Sequence, residues 1–309
     1  MNQKQVILVT GATGAQGGSV AKALLEQGKF GVRVLTRNAG SEKALELAAA
    51  GAEIVRGDLD DKTSLLQAMQ GVYGVFGLTN FWEHFGKELE QGKNLIDAVS
   101  ETGVQHFVYS SLANYNKLSG GELSVPHCDM KAALSDYTRS KNLPATFVHI
   151  AFYYENFFSF FPPQPGEDGK FHFGFPQGDT PLAMVSVDDL GGVVASIFNH
   201  PLQYIGRTVG VVGADDSCYK YAAIMSKVLE REIVYNHIPR ETYAAFGFPG
   251  AEELANMFDV QRRFIPSRRL DLIESYALNA SMQPFEQWLQ KNKTRMLAML
   301  DAKVLAEVD

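Results

Sequence analysis

Three glycines near the start of the chain constrain its fold more than any other feature. Residues 6–17 read VILVTGATGAQG, an apolar run followed by the spacing GxxGxxG. Gly11 allows a sharp turn off a strand, Gly14 leaves room for a pyrophosphate, and Gly17 lets the next helix pack closely. That helix would aim its free N-terminal amides at the anion. The sequence therefore predicts a dinucleotide-binding turn, composed of Gly11, Ala12, Thr13, Gly14, Ala15, Gln16 and Gly17.

Short apolar runs alternate with helical patterns through the first half of the chain. Because apolar residues fill each run, both faces of the resulting sheet are expected to be covered. Alternation at this spacing predicts parallel strands joined by helices. The predicted strands are Val6–Thr10, Val32–Thr36, Glu53–Arg56, Gly74–Leu78, Phe107–Ser110 and Thr146–Ala151, with helices near 18–27, 41–50, 62–69, 87–102 and 127–141.

The composition changes after residue 156. The stretch FFSFFPPQPGEDGKFHFGFPQGDTP is rich in Phe, Pro and Gly, and predicts a loop with a hairpin at KFHFGF that helps to wall a cleft. A helix over Leu190–Phe198, capped by Asp188, and a strand over 208–213 are predicted next. Further helices are predicted at 217–230, 240–246, 251–258 and 284–291.

These patterns together predict an α/β protein. Its core would be a Rossmann-type doubly wound parallel sheet, accompanied by a smaller discontinuous C-terminal α+β domain. The dinucleotide-binding domain would comprise residues 1–156, with returning elements at about 183–213 and 281–292. The smaller domain, which would bind a substrate or a partner, would combine 157–182 with 214–280.

Composition narrows the class of protein. With 46% hydrophobic and 20% charged residues, the chain is typical of soluble globular proteins. A net charge of −7 argues against direct binding to nucleic acid or a membrane, and the four arginines between residues 262 and 269 are expected to be solvated or paired with acids. Cys128 and Cys218 make no disulfide framework, and no metal site is predicted. A core strand begins within five residues of the start, so a cytoplasmic location is expected, with the nucleus also open.

The end of the second predicted strand indicates which dinucleotide is preferred. NAD-specific sites place an acidic residue there to hold the ribose 2′-hydroxyl, whereas this chain has Arg37. A guanidinium donates paired hydrogen bonds to a 2′-phosphate, which favours NADP(H). Further contacts are expected from residues at the ends of this strand and of the next two, namely Asn38, Asp58, Leu59, Thr79, Asn80 and Phe81.

Several motifs together resemble one family. They are GATGAQG, TRN, GDLDD, LTNFWE, YSSL, HCDMK, YYENF, VSVDDLG and GFPGAEELANMF. On these motifs the chain is similar to the NmrA-like family over about residues 5–290. The family comprises atypical short-chain dehydrogenase/reductases, so the resemblance implies an extended Rossmann fold and a bound dinucleotide.

The resemblance also shows what the chain lacks. Active members of the wider superfamily use Ser, Tyr and Lys, the last two as YxxxK, and the matching helix here begins His127-Cys-Asp-Met-Lys131. Lys131 would keep the ribose-binding role, while His127 replaces the tyrosine. A neutral imidazole beside an ammonium is a weak acid, so His127 is interpreted as a binding or vestigial residue rather than as a general acid. Ser110 or Ser111 could polarise a carbonyl.

The family pattern implies more residues along the cofactor. These are Lys93 in the fourth helix and, after the sixth strand, Tyr153, Tyr154, Glu155 and Asn156.

Two functions stay open. The first is an NADP(H)-binding redox sensor that controls a protein partner, for example in transcriptional regulation, with little or no dehydrogenase activity. The second is an NADPH-dependent reductase of quinones or carbonyl compounds. A homodimer is compatible with either hypothesis.

Overall fold

The computed structural model describes residues 4–83 and 86–306 and is built around a seven-stranded sheet. All its strands are parallel, in the order β11-β6-β5-β4-β1-β2-β3. This confirms the predicted doubly wound parallel sheet. The strands are β1 (Val6–Val9), β2 (Gly31–Thr36), β3 (Glu53–Arg56), β4 (Gly74–Gly77), β5 (His106–Ser111), β6 (Ala145–Ile150) and β11 (Thr208–Val211).

Helices cover both faces of the sheet. One layer packs on the face that includes Ile7 and Val9, and the other on the face that includes Leu8 and Val75. The first layer contains α1 (Ala15–Gln27), α7 (Leu190–Asn199) and α12 (Arg269–Leu278), and the second contains α3 (Lys62–Ala68), α4 (Glu88–Thr102) and α6 (Pro126–Ser140). Short helices at the edges are α2 (Glu42–Ala49), α5 (Tyr115–Leu118) and α8 (Pro201–Tyr204).

Close backbone contacts hold α1 in place. A Cβ on Gly17 would lie 2.4 Å from the carbonyl carbon and oxygen of Gly11, and one on Gly191 would lie 2.2 Å from the carbonyl oxygen of Ser19. Neither position admits a side chain without movement of the backbone. The predicted reason for Gly17, close packing of the helix after the turn, therefore agrees with the structure.

The second half of the chain builds a smaller lobe with an aromatic core. Two three-stranded sheets, β12-β10-β7 and β13-β9-β8, contribute to it, and its fully buried aromatic residues include Phe157, Phe175 and Phe258. The strands are β7 (Phe152–Tyr153), β8 (Gln164–Pro165), β9 (Phe171–Phe175), β10 (Leu182–Val185), β12 (Ala214–Asp216) and β13 (Ile233–His237). The helices are α9 (Cys218–Leu229), α10 (Arg240–Ala244), α11 (Ala251–Phe264), α13 (Phe285–Lys291) and α14 (Lys293–Ala306).

Three local predictions differ from the structure. KFHFGF is only one strand of the hairpin predicted there: it forms mostly β9, which pairs antiparallel with β8 across a turn at 166–170 and with β13 on its other side. The residue before α7 is Asp189, not Asp188, and its carboxylate accepts hydrogen bonds from Gln283 instead of capping the helix. Helix α11 extends to Phe264, and four helices were not predicted: α5, α8, α12 and α14.

The division into two domains stays a prediction. Two segments, however, pack on the other lobe from the one to which the prediction assigns them. Helix α12 lies against β11 and α7, with Leu272 and Tyr276 on the core of the parallel sheet. Helix α13 places Phe285 and Trp288 in the aromatic core of the smaller lobe. The amphipathic pattern of a helix shows that one face is buried, but not which of two cores receives it.

The arginine cluster has acidic partners, and both cysteines are buried. Arg262 and Arg263 pair with Asp259, as expected for an acid-paired cluster. Cys128 and Cys218 are both buried and unbridged. In the part of the chain that the structure describes, no helix combines the length and apolarity needed to cross a bilayer.

Buried His106 generates a prediction about acid stability. Its Nε2 lies 2.8 Å from the Thr146 hydroxyl, and burial lowers the pKa of His106 to about 4. In the unfolded chain the imidazole of His106 binds a proton near pH 6.5, whereas in the folded chain it does so only near pH 4. The free energy of unfolding therefore falls by up to about 3 kcal/mol as pH falls from about 6.5 to about 4. We expect His106→Gln to reduce that loss in urea unfolding, and exposed His200→Gln to leave it unchanged. Identical pH profiles for His106→Gln and wild type would contradict the assignment.

Candidate functional site

A single large cavity lies at the carboxyl ends of the central strands. Its volume is about 1450 Å³, and it is lined by residues from both lobes. Strand β1 is flanked by β2 and β4, so the chain crosses over beside β1 and opens a crevice there. In open α/β sheets this switch point is where ligands bind.

The glycine-rich turn forms one wall of the cavity. Gly11 has φ of +60°, and the residue before α1 is Gly14, whose lack of a side chain leaves the helix without a side-chain cap. The first amides of α1 therefore have no side-chain acceptor, which suits an anion at this place. Gly11, Thr13, Gly14, Ala15 and Gln16 line the cavity. Ala12 and Gly17 do not: Ala12 is buried in the sheet core, and Gly17 is needed for close packing.

Arg37 and Asn38 lie at the rim of the cavity, at the end of β2. Arg37 Nη2 is 2.6 Å from Glu83 Oε1, with 57% of the Arg37 side chain exposed. The hydrogen bond and charge of Glu83 raise the pKa of Arg37. A ligand phosphate at this rim would therefore compete with Glu83 for the guanidinium.

The ends of β3 and β4 bring the next predicted residues to the same cavity. The lining residues there are Asp58, Leu59, Thr79, Asn80 and Phe81, all of which were expected on the cofactor.

A chain of hydrogen bonds links the glycine turn to the far strands. Ser110 Oγ donates to Gln16 Oε1 over 2.6 Å, and Gln16 Nε2 donates to the Tyr153 hydroxyl, also over 2.6 Å. All three residues line the cavity. Ser111 also lines the cavity, but its hydroxyl is hydrogen-bonded to Ser135 and to the carbonyl of Lys131, so it holds α6 against β5.

Lys131 is held by a buried carboxylate that the sequence analysis did not identify. Its Nζ lies 2.5 Å from Glu88 Oε1 and 2.8 Å from the Thr79 carbonyl oxygen. The Glu88 side chain is fully buried, and its Oε2 makes no hydrogen bond within residues 4–83 and 86–306. Lys131 is 13% exposed and lines the cavity, so its ammonium reaches a ligand while a counter-ion lies behind it.

His127 also has a carboxylate partner. Its Nδ1 lies 2.7 Å from Glu253 Oε1, and its backbone amide donates to the same oxygen over 2.8 Å. The rings of Phe81 and Trp82 lie beside the imidazole, with centroids 6.0 and 5.4 Å away. Glu253 belongs to α11, so a residue of the smaller lobe orients the side chain that replaces the tyrosine.

Three residues expected along the cofactor do not line the cavity. Lys93 lies over the Tyr137 ring on the exposed face of α4. Tyr154 is fully buried against Phe285 and Trp288.

Glu155 accepts hydrogen bonds from Ser186, Val187 and Trp288. Residues 154–158 form a 3₁₀ turn, and its three-residue period puts Tyr153 and Asn156 on the cavity side. Cys128 is buried, and burial raises the pKa of its thiol, which disfavours the reactive thiolate.

The far wall of the cavity comes mainly from the smaller lobe. It is apolar and aromatic, and only its Phe-rich segment was anticipated. The residues are Phe160, Phe161, Tyr243, Phe248, Leu254, Met257 and Ile265. Phe248, Leu254 and Met257 fall within the family motif GFPGAEELANMF, but apolar side chains of this kind do not distinguish a ligand contact from ordinary packing.

The fold and this cavity define a Rossmann-type α/β protein with a binding crevice at the switch point of its sheet. The chain belongs to the NmrA-like family, whose model matches residues 3–288. The NmrA-like family domain-containing oxidoreductase FrzB from Cladobotryum sp is 32% identical over 280 residues, which cover 82% of each chain.

Solved structures share the fold. The negative transcriptional regulator NmrA, in complex with NADP, aligns with a TM-score of 0.82 at 23% identity over 97% of this chain and 98% of its own. Triphenylmethane reductase from Citrobacter sp., complexed with NADP(H), aligns with a TM-score of 0.74 at 23% identity over 94% and 99% of the two chains.

The Lys131–Glu88 pair generates a prediction about stability. Lys131→Met leaves the Glu88 carboxylate buried without its cation, and we expect a loss of about 3 kcal/mol in the free energy of unfolding. The double variant Lys131→Met/Glu88→Gln should recover part of that loss, since no unpaired charge remains. Urea unfolding measures both. Equal stabilities for the single and double variants would contradict a costly unpaired charge at Glu88 in Lys131→Met.

Proposed function

We propose that this chain binds NADP(H) in the cavity and uses it to reduce a planar quinone or aromatic carbonyl compound. One observation carries the proposal: the phosphate turn and the apolar aromatic wall belong to one continuous cavity of about 1450 Å³. Ligand sites for a single small molecule occupy about 300–1,000 Å³. The space beyond the dinucleotide groove is therefore large enough for a second molecule, and its apolar lining favours a flat aromatic one.

The residues along the groove fit NADP(H) in charge and shape. The uncapped start of α1 suits the pyrophosphate, Arg37 suits the 2′-phosphate, and Lys131 suits a ribose hydroxyl. Curated relatives named as oxidoreductases, and a neighbouring structure named as a reductase, support the same assignment.

A second candidate is the redox sensor that controls a protein partner. The Arg37–Glu83 pair favours it, because a 2′-phosphate that takes Arg37 must release Glu83. Occupancy of the site would then change the 80–83 segment at the surface. A sensor needs different affinities for its two conformers, since a ligand that binds both equally shifts nothing. The name of the NmrA regulator supports this candidate.

Arg37 should discriminate between the two coenzymes. A charged hydrogen bond is worth about 1.5–3 kcal/mol, so we expect Arg37→Ala to weaken NADPH binding by about tenfold to a hundredfold and NADH binding little. Calorimetric titration measures both. Arg56→Ala is the matched control, because Arg56 is an exposed arginine at the end of β3 outside the cavity. Equal losses for the two coenzymes would contradict the role of Arg37.

Turnover separates the two candidate functions. A reductase should oxidise NADPH at about one per second or faster with some member of a panel of quinones and aromatic aldehydes. Tight NADPH binding without turnover on any of them would favour the sensor. In that case, a change in molecular mass or in partner capture between the NADPH-bound and free protein would be expected.

A further inference from the structure

We propose that His127 and Glu253 form a proton-donating pair for the reduction, with His127 as the acid and Glu253 as the residue that positions it. This inference rests on the proposed reductase function. It assigns a role to a carboxylate of the smaller lobe, and it reverses the expectation that His127 is only a binding or vestigial residue.

The geometry leaves one ring nitrogen of His127 for a ligand. Nδ1 lies 2.7 Å from Glu253 Oε1, and because an ionised carboxylate only accepts, Nδ1 carries the hydrogen. The other nitrogen, Nε2, has no hydrogen-bond partner among the described residues. The His127 side chain is 10% exposed and lines the cavity. Glu253 therefore selects the tautomer and orientation in which Nε2 exchanges protons with a molecule in the cavity.

Carboxylates face both His127 and the ammonium nearest to it. Glu253 contacts the ring itself, and the Lys131 ammonium one helical turn away has its own counter-ion in Glu88, 2.5 Å from Nζ. The Asp129 carboxylate is occupied by the amides of Asn116 and Val125. Phe81 and Trp82, on the neighbouring loop, bring no charge. The Lys131 ammonium beside His127 is therefore not uncompensated, and His127 has a carboxylate partner of its own.

The step balances with groups already named. Bound NADPH supplies a hydride to the carbonyl carbon, and the C=O π pair moves onto the oxygen. That oxygen takes the proton from Nε2 of the imidazolium. The ring is then neutral, keeps its hydrogen on Nδ1, and donates it in a hydrogen bond to Glu253. The products are the alcohol and NADP⁺, and solvent returns a proton to Nε2.

Two adjacent glutamates allow a matched test. Glu253→Gln removes the charge at the ring, whereas Glu252→Gln removes the same charge from a side chain that is 76% exposed and lies outside the cavity. With NADPH and 4-nitrobenzaldehyde, we expect His127→Phe to lower kcat/KM by about 10²–10⁴-fold. Glu253→Gln should lower it at least about tenfold and change its pH profile, while Glu252→Gln matches wild type. The loss with 9,10-phenanthrenequinone should be smaller, because solvent can protonate that product.

Nitrogen NMR of ¹⁵N-histidine-labelled protein gives a readout that needs no turnover. The His127 signal is identified as the one that is absent from the His127→Phe spectrum. It should show hydrogen on Nδ1 in the wild type and in Glu252→Gln. In Glu253→Gln, the population of the two tautomers should change. Hydrogen on Nε2 in the neutral wild-type ring would overturn the proposal. Aldehyde turnover that survives in both His127→Phe and Glu253→Gln would also overturn it and leave the reductase assignment standing. Absence of wild-type turnover with these two probes and with every other member of the quinone and aldehyde panel would reject the reductase and this proposal together.

Discussion

The site depends on the close approach of two backbone segments at the start of the chain. The turn at Gly11 lies so near Gly17 that a Cβ at Gly17 would come within 2.4 Å of it. This contact sets where α1 begins relative to β1, and hence where the first amides of α1 point. Every other element of the groove, from Arg37 at the end of β2 to Lys131 on α6, is placed relative to that turn by the register of the parallel sheet. A small residue at one position therefore determines whether the groove exists.

Most of the parallel sheet could be predicted because its signal is local. Continuous apolar runs between helical patterns placed β3 at its observed bounds and the other strands within a residue or two. The helices that sequence reasoning missed, such as α12 and α14, lack a strong one-sided apolar pattern. Their position is decided by contacts with distant segments: α12 packs on β11, and α14 on α9 and β8. Local patterns do not contain those contacts.

The candidate site likewise contains residues that local sequence patterns predict and residues that they do not. Residues on the glycine turn and at strand ends could be placed in advance, because parallel strands bring their carboxyl ends to one edge. Lys93 could not be placed in this way. Gln91 lines the cavity, and Lys93 lies two positions further along the same α-helix. Those two positions correspond to a rotation of about 200°, so the Lys93 side chain is turned away from the cavity. Glu88 and Glu253 were missed for a different reason. Each matters through a partner 43 or 126 residues away, and no spacing rule links such pairs.

Those two missed carboxylates change the chemistry that the sequence suggested. From sequence alone, His127 and Lys131 are two basic groups one helical turn apart, and each disfavours a proton on the other. The structure places a carboxylate against each, so each of the two basic residues on this helix face has its own acidic partner. Lys131 is anchored from within the sheet domain by Glu88, whereas His127 is oriented from the smaller lobe by Glu253. In the proposed reductase, the ribose-binding group would thus be fixed with the dinucleotide groove, and the acid would be fixed by the lobe that forms the apolar wall. The two proposed roles would therefore depend on different lobes of the protein.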